Sequence, residues 1–555
     1  MEASGDGVCT FDYEELQKIL LQRGVEVDFE YNLLKIVIGI ESWRCHRKSY
    51  KGSSRCIFHA EEKDPEEFKT SFNEELERME NEDEKFDFTG IIFPAEIDLS
   101  SKVFGKPVSF IGATFRERAD FFCVTFQESV DFTGAEFQDV AEFTMAEFQK
   151  TATFNRAKFK TGAEFIRTKF QGGATFVGAE FEGDGLFDEA EFHNEAYFRE
   201  VKFLSEARFA EVEFQRYTDF ENAKFLKVAR FYGTKFLYSA KFYGAEFRES
   251  AFLEEAKFRG GAIYNNVTFD GSVYFIKCSI NTLIDFSYST FNRQVLFRAA
   301  EDNQGYLVFF STIFREPKIT YIIGYPLSRV SFLLTNIEGI QLVPARAGNE
   351  EILDGILLRI VESAKAGRSG VGISTGNIPA ENKAEIRELA KRLEPYLTPE
   401  TVHAEYKRIR KCLEANRMFT EAADLFIKEM RLARKLLRKT NVFERLAHHI
   451  YEFVSRYGES VNRPIILAIA TILFTSILLL LYNPGIGGPI PLHLLLTKYL
   501  ENLEAVSAVF FQVRSFKDFS FLAKAPIAIE ILIRVLAIII FGNLFVAVRR
   551  RLERH

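Results

Sequence analysis

Residues 132–149 read FTGAEFQDVAEFTMAEFQ, and this stretch contains the repeat that decides the fold. From Phe104 to Phe297, phenylalanine recurs at spacings that alternate between six and five residues, often with an alanine two residues before it. On a helix these side chains would scatter around the whole surface. In extended chain, alanine and phenylalanine two residues apart share one face, and the residue between them points away. The repeat therefore predicts a β-solenoid with a core of stacked phenylalanine and alanine.

The sequence pattern of residues 132–149 resembles that of the phenylalanine-rich variety of pentapeptide-repeat proteins. This resemblance covers residues 86–342 and implies an all-β, four-sided β-helix. With two units of six and two of five residues, a coil takes 22 residues. Residues 104–297 would then form roughly nine coils with a height of about 40 Å, at ~4.8 Å per coil. The step from Phe247 to Phe252 is a second five, and the period is lost after Phe297. Each break is predicted to mark a place where the solenoid bends or hands over to the parts that act.

No active site stands out in the repeat, which favours a rigid spacer or a surface that binds a protein partner. Some pentapeptide-repeat proteins mimic nucleic acid, but the outward residues here mix both charge signs. The formal net charge of −7 also disfavours a nucleic-acid binder. Six cysteines in 555 residues indicate a reducing compartment, and the acidic start MEASGDGVCTFDYEEL indicates no signal peptide. No catalytic motif is evident, so we expect no enzyme.

Two apolar segments near the C-terminus, residues 464–482 and 526–548, are long enough to span a membrane. A buried helix of a soluble domain is the alternative for each, but two such segments together favour a membrane protein. Basic residues flank the far ends of both segments, so the positive-inside rule predicts that both termini are cytoplasmic. These basic residues are Arg445, Arg456, Arg463, Arg549, Arg550, Arg551 and Arg554.

Residues 483–525 separate the two predicted spans and combine a helical stretch at 494–513 with a polar loop. The order of span, partial helix, polar loop and span resembles the two-helix pore module of tetrameric cation channels. The resemblance implies an ion channel that assembles as a homo-oligomer, with four subunits as the expectation. One face of the partial helix is predicted to carry Leu496, Tyr499, Leu500, Leu503 and Val506.

The loop departs from a potassium channel, because residues 510–518 read FFQVRSFKD and contain no glycine. Potassium selectivity is therefore not expected. The candidate pore-loop residues are Gln512, Arg514, Ser515, Lys517 and Asp518. If Arg514 and Lys517 line a pore, their positive charge favours anions. Alternatively, both side chains lie in the outer headgroup region.

Glu530 and Arg534 lie four residues apart within the second predicted span, so they share a helix face. An intrahelical ion pair is one interpretation of this arrangement. A contact with the pore loop or with a neighbouring subunit is the other. Two spans enclose no pathway alone, so a pore requires several subunits around an axis.

The first 85 residues contain a possible zinc site, because Cys56 and His59 have metal-ligand spacing. Cys45 or His46 would supply a third ligand and Cys9 a fourth. The alternative is ordinary buried cysteines with a surface histidine. Residues 61–85 are predicted to form an acidic helix that covers the open end of the solenoid.

Residues 343–463 are predicted to form a helical connector, with a helical hairpin over 398–440 that turns at Asn416 and Arg417. Its glycine-rich stretch AGRSGVGISTGN, at 366–377, lacks the spacing of a phosphate-binding loop and is interpreted as a flexible loop. The predicted order is a cap at 1–85, the β-helix at 86–342, the connector at 343–463, spans at 464–482 and 526–548 around an external segment at 483–525, and a basic cytoplasmic tail at 549–555.

Two functions follow from this organisation. The first is an oligomeric channel in the membrane, weakly selective or anion-preferring, whose cytoplasmic β-helix senses or docks a partner. The second is a non-conducting scaffold, anchored in the membrane lipid, whose β-helix binds a protein.

Overall fold

The structure is a computed structural model in which the chain divides into two compact units, residues 1–398 and 399–555. It describes residues 8–25, 45, 47–51, 53–82, 85–301, 303–345, 351–365, 383–437, 441–482, 492–519, 522 and 527–553. The predicted glycine-rich loop at 366–377 and His46 lie outside these residues.

The first unit is a parallel β-solenoid, as predicted, and its coils have four sides. Most strands are two residues long, and each pairs with the strand one coil away. Glu136 lies beside Lys158 and Phe137 beside Phe159, which confirms the predicted 22-residue coil. The longest face contains 12 strands. The first and last strands of the four faces are Phe86–Asp87 and Val330–Ser331, Ile92–Phe93 and Ile313–Phe314, Ile97–Asp98 and Gln341–Val343, and Val103–Phe104 and Val273–Ile280.

The core consists of phenylalanine rings stacked from coil to coil. The ring centroids of Phe115 and Phe137 are 4.6 Å apart with an interplanar angle of 1°. Between adjacent faces the rings meet edge to face, as Phe132 and Phe143 do at 5.5 Å and 84°. Both are favoured geometries for aromatic pairs. A small alanine stands two residues before many of the rings and leaves room for them, and these alanines are buried.

The corners of the solenoid contain a residue with positive φ at every eleventh position from Gly90 to Tyr288. At one of them, Gly112 has φ of 64°, and the N–H of Ala113 donates to the carbonyl of Phe110 at 3.0 Å. These are the features of a type II turn, which needs positive φ at its third residue. Most of these positions hold residues other than glycine, such as Met145 with φ of 57°.

The expected bend at Phe252 is not present. Phe252 occupies the outward position of its strand, in register with Arg230 on one side and Tyr274 on the other. Leu253 is buried instead and takes the place of a core phenylalanine. The six-five alternation thus continues through Leu253 to Phe258, and the second five in the spacing comes from an aromatic residue on the surface. The regular corner is lost later, where strand Val273–Ile280 pairs with two faces at once.

Helices α1 (Tyr13–Gln22) and α2 (Pro65–Glu82) pack on the first coils. On α2, Phe72 lies 5.5 Å from Phe88 and 5.4 Å from Phe93, between ring centroids. Helix α1 lies along a corner row of glycines. A Cβ on Gly134 would lie 2.6 Å from Cδ2 of Leu20. Arg23, just after α1, donates to the carbonyl of Gly134 at 2.7 Å.

Helices α3 (Leu353–Lys365) and α4 (Lys383–Leu393) pack on the last coils. The hydroxyl of Ser331 donates to the buried carboxylate of Asp354 on α3 at 2.5 Å. Arg392 on α4 forms an ion pair with Asp285 at 2.6 Å.

The second unit is helical. Its helices are α5 (Pro399–Ala415), α6 (Phe419–Leu436), α7 (Val442–Ser455), α8 (Asn462–Tyr482), α9 (Leu492–Phe510) and α10 (Ile527–Glu553). Helices α5 and α6 form a hairpin that turns at Arg417, whose φ is 60°. Helices α8 and α10 are long and apolar enough to cross a membrane, with mean hydropathy of 2.2 and 2.6 in their apolar segments.

The glycine row predicts how α1 is held on the solenoid. Gly134→Ala should loosen α1, because the added methyl group overlaps Leu20. We expect trypsin cleavage after Lys18 and Arg23 to become faster by on the order of tenfold, as overpacking costs about 1–3 kcal/mol. Gly178→Ala is the matched control, since Gly178 has the same φ of about 64° but faces only the side chain of Arg156. Equal cleavage of both variants would contradict this packing.

Candidate functional site

Helix α9 packs against both apolar helices, α8 and α10, through one buried face. This face consists of Asn502, Ala505, Val506, Val509 and Phe510. The buried face differs from the apolar face read from the sequence, of which only Val506 is buried, whereas Leu496 and Leu500 are 60% and 55% exposed. The buried face of α9 contains small and polar residues that pack on α8. The amide of Asn502 donates to the carbonyl of Ser476 on α8 at 3.4 Å. The hydrophobicity of the sequence alone does not reveal this packing.

Glu530 and Arg534 on α10 form an ion pair with Nη2 and Oε1 2.9 Å apart. The carboxylate of Glu530 also accepts hydrogen bonds from Ser515 Oγ at 2.9 Å and from the N–H of Phe516 at 3.0 Å. Both interpretations of this pair are therefore realised within one chain. It is an intrahelical pair, and it holds the segment that follows α9.

Arg534 completes the attachment of this segment, residues 511–518, which we call the post-helix loop. Its guanidinium donates to Gln512 Oε1 and to the backbone carbonyl of Arg514, both at 2.8 Å. We call Glu530 and Arg534 together the clasp. The clasp holds a non-helical segment against α10 through two side chains and two backbone groups of the loop.

The remaining predicted loop residues have different surroundings. The side chains of Arg514 and Lys517 are exposed, and the Arg514 guanidinium lies 5.9 Å from the ring centroid of Phe519. Asp518 accepts a hydrogen bond from the N–H of Ser515 at 2.8 Å and closes a capping box around the short helix Phe516–Asp518. The loop therefore presents two cations outward while its polar backbone faces the clasp.

The clasp lies well inside the apolar helix. Arg534 is the eighth residue of α10, so it lies about 10 Å from the start of the helix at 1.5 Å per residue. The residues around it are apolar and largely exposed, including Ile531, Leu532 and Val535. A charged pair and an irregular loop thus lie beside a stretch of α10 whose other exposed side chains are apolar.

A second cluster of chemically active groups lies on the first unit. Cys9, Cys45, Cys56 and His59 are all buried, and their ligand atoms lie within 4.8 Å of one another. Cys45 Sγ is 3.8 Å from Cys56 Sγ, and His59 Nδ1 is 3.3 Å from Cys56 Sγ and 3.7 Å from Cys9 Sγ. The sulfur atoms are too far apart for a disulfide, whose S–S bond is about 2.05 Å. The cluster has the composition and spacing of a metal site.

The surroundings of the cluster orient the histidine. His59 Nε2 lies 3.1 Å from the carbonyl of Thr89 in the solenoid, and Nδ1 faces the sulfur atoms. The ring of Phe11 stacks on the imidazole at 4.2 Å. Hydrogen bonds to the thiols of Cys45 and Cys56 lower the pKa of Cys9, which favours a thiolate in the cluster. Thiolates are the form of cysteine that binds metal.

Sequence reasoning did not find the groups that complete these two sites. Thr89 and Phe516 contribute a backbone carbonyl and a backbone N–H, which every residue has, so no sequence signal marks them. Arg47 lies beside Cys45 and forms an ion pair with Glu75 at 2.7 Å. Its position two residues after Cys45 could have indicated a positive charge near a thiolate.

Comparison with known proteins agrees with the geometry of the first unit. The family model for pentapeptide repeats (9 copies) matches residues 187–235, 220–279 and 253–301, all within the solenoid. The chain is 30% identical over 260 residues to the uncharacterized protein MJ1147 of Methanocaldococcus jannaschii, covering 46% of this chain and 51% of that protein. The chain thus aligns with about half the length of this relative. No solved structure matches the present chain. The chain therefore consists of a pentapeptide-repeat β-solenoid followed by helices, two of which could span a membrane.

Proposed function

We propose that the second unit inserts into a membrane and that several copies form an ion-conducting pore lined by the post-helix loop. The observation that carries this proposal is the clasp, which holds an irregular, polar loop at a depth where α10 is otherwise apolar. Charged residues inside membrane helices are costly, and they mark the interior of a bundle or a water-filled pathway.

The polar side chains of the loop support the same conclusion. Gln512 and Arg514 are exposed in the single chain. Polar and charged side chains at membrane depth face a bundle interior or a water-filled cavity. These two side chains therefore need water or another subunit beside them. A homo-oligomer with cyclic symmetry supplies both, because it places the loops around a common axis. Four subunits is the number that the resemblance to the two-helix pore module implies.

The charge of the loop indicates its selectivity. It contains no glycine and no run of carbonyls like that of a potassium filter, whereas Arg514 and Lys517 point outward. A ring of these cations repels cations and favours anions. The pore is thus weakly selective or anion-preferring. The basic residues that flank α8 and α10 favour cytoplasmic termini, so the solenoid is a cytoplasmic domain that senses or docks a partner.

The alternative function is a membrane-anchored scaffold that does not conduct and whose solenoid binds a protein. In such a scaffold the clasp would only stabilise the fold of one chain. The absence of enzymatic activity stays a prediction.

The role of the clasp is tested by Glu530→Gln. This substitution removes the charge that binds Arg534, Ser515 and Phe516, and hydrogen bonds to charged groups contribute about 1.5–3 kcal/mol each. In planar bilayers we expect the single-channel conductance or the open probability to fall at least about tenfold. Glu501→Gln, which neutralises an exposed carboxylate on α9, is the matched control and should conduct like the wild type. A wild-type protein that inserts but never conducts would favour the scaffold.

Selectivity is tested by measuring reversal potentials under a KCl gradient. The double substitution Arg514→Ala and Lys517→Ala removes the outward cations, so the reversal potential should move toward that of potassium. Lys498→Ala removes a cation from α9 and should leave the reversal potential unchanged. A strong cation preference in the wild type, or an unchanged potential in the double variant, would contradict an anion-preferring pore.

We also propose that Cys9, Cys45, Cys56 and His59 bind one structural zinc ion. A zinc tetrahedron with Zn–S bonds of about 2.3 Å and a Zn–N bond of about 2.0 Å has edges of roughly 3.5–3.8 Å. The Cys45–Cys56, Cys56–His59 and Cys9–His59 distances, from 3.3 to 3.8 Å, fit this geometry, and all four ligand atoms lie within 4.8 Å of one another. The ion would join the first residues of the chain to the segment around residue 56 and, through His59 and Thr89, to the first coil.

Elemental analysis of the purified protein tests the zinc site. We expect about one zinc per chain and a loss of nearly all of it in Cys56→Ser, since a structural site needs its four ligands. Cys123→Ser, which changes a partly exposed cysteine outside the cluster, should keep its zinc. Removal of the metal by a chelator should also speed trypsin cleavage near α1. A wild-type protein without zinc would rule the site out.

A further inference from the structure

An apolar groove with a cavity of about 580 Å³ lies between helices α6, α7 and α10. Its walls include Met430 on α6, Ile450 and Tyr451 on α7, and Ile539, Gly542 and Val546 on α10. Gly542 leaves part of the α10 wall without a side chain, and a Cβ there would meet no atom within 4 Å. On the same helix, Phe545 is 70% exposed, whereas the ring of Phe541 packs on Phe510 and Phe511.

The groove lies at the level of a membrane surface if α8 and α10 span the bilayer. Helix α7 carries a stripe of exposed apolar side chains, Phe443, Leu446, Ile450 and Phe453, at intervals of three and four residues. A helix with one apolar face lies in the plane of the interface, with that face in the acyl region. Ser455, at its end, donates to Asn543 Oδ1 on α10 at 2.8 Å, which attaches α7 beside the groove.

Polar side chains lie in the wall of the groove, and helical spacing places two arginines near it. His448 and Asn543 lie in its wall, and His448 Nδ1 has no hydrogen-bond partner among the residues that the structure describes. Arg549 follows Val546 by three residues, so it continues the same face of α10. Arg445 precedes His448 by three residues on α7. Arg550 is engaged elsewhere, with the Tyr457 carbonyl at 2.8 Å and Glu459 at 3.1 Å.

We propose that this groove binds one anionic phospholipid, with an acyl chain against Ile539, Gly542 and Val546 and its phosphate beside Arg549 and Arg445. An apolar pocket with a basic rim fits this class of ligand, because the hydrocarbon chain fills the space left by Gly542 and the phosphate meets positive charge. Since α6 and α7 both border the groove, the bound lipid would fasten the helices that precede α8 to the end of α10. This inference rests on the proposed insertion into a membrane but not on conduction.

Native mass spectrometry of the full-length protein tests the site, after reconstitution in vesicles of phosphatidylcholine and phosphatidylglycerol and extraction in mild detergent. Wild type should retain phosphatidylglycerol in preference to phosphatidylcholine. Gly542→Leu should lower the retained lipid on the order of tenfold, because its side chain fills the groove. Arg549→Gln should lower the preference for phosphatidylglycerol about tenfold. Val535→Leu adds bulk to an exposed part of α10 outside the groove and should retain lipid like the wild type.

The outcomes separate this inference from the proposed function. If the wild type does not associate with the vesicles during reconstitution, the proposed membrane insertion is wrong. If it associates and Gly542→Leu retains as much lipid as Val535→Leu, only the proposed lipid site is wrong. A change in the number of subunits in Gly542→Leu, without loss of lipid, would show that the groove is an interface between copies of the chain and would overturn the proposal.

Discussion

The stacking of phenylalanine rings from one coil to the next is the interaction on which the rest of the first unit depends. Rings such as Phe115 and Phe137 are separated by 4.6 Å, close to the spacing of neighbouring strands at about 4.8 Å. A ring can therefore stack only if every coil has the same length and the same four corners. The type II turns and the buried alanines follow from this requirement. Helices α1 to α4 then pack on surfaces that the stack has already defined.

The solenoid could be predicted from the sequence because a single residue type, phenylalanine, recurs at a regular spacing. The prediction was wrong where phenylalanine was counted without regard to its side of the strand. Phe252 lies outside and Leu253 inside, since the core position accepts another large apolar side chain. The burial of α9 could not be predicted either. Its packing face depends on how small residues and Asn502 meet α8, whereas the leucines at its start are exposed.

The candidate sites were predictable as residue types but not as arrangements. Cys9, Cys45, Cys56 and His59 could be proposed as ligands, yet 46 residues separate the first from Cys56, and only the packing of α1 and α2 on the first coil brings them together. For Glu530 and Arg534 the spacing indicated a pair but could not distinguish an internal pair from a loop contact. Both occur because a carboxylate has enough lone pairs to accept from Arg534, Ser515 and Phe516 together.

The clasp is the observation on which the proposed function depends, because it holds a loop with two outward cations beside two apolar helices. The central claim is that this loop faces an axis shared by several chains. A cryo-electron microscopy structure of the full-length protein in lipid nanodiscs tests it most directly. The proposal predicts a closed ring of subunits whose loops, residues 511–518, border an axial pathway with Arg514 and Lys517 toward its outer end. A single chain, or an assembly whose loops face lipid with no pathway between them, would contradict it.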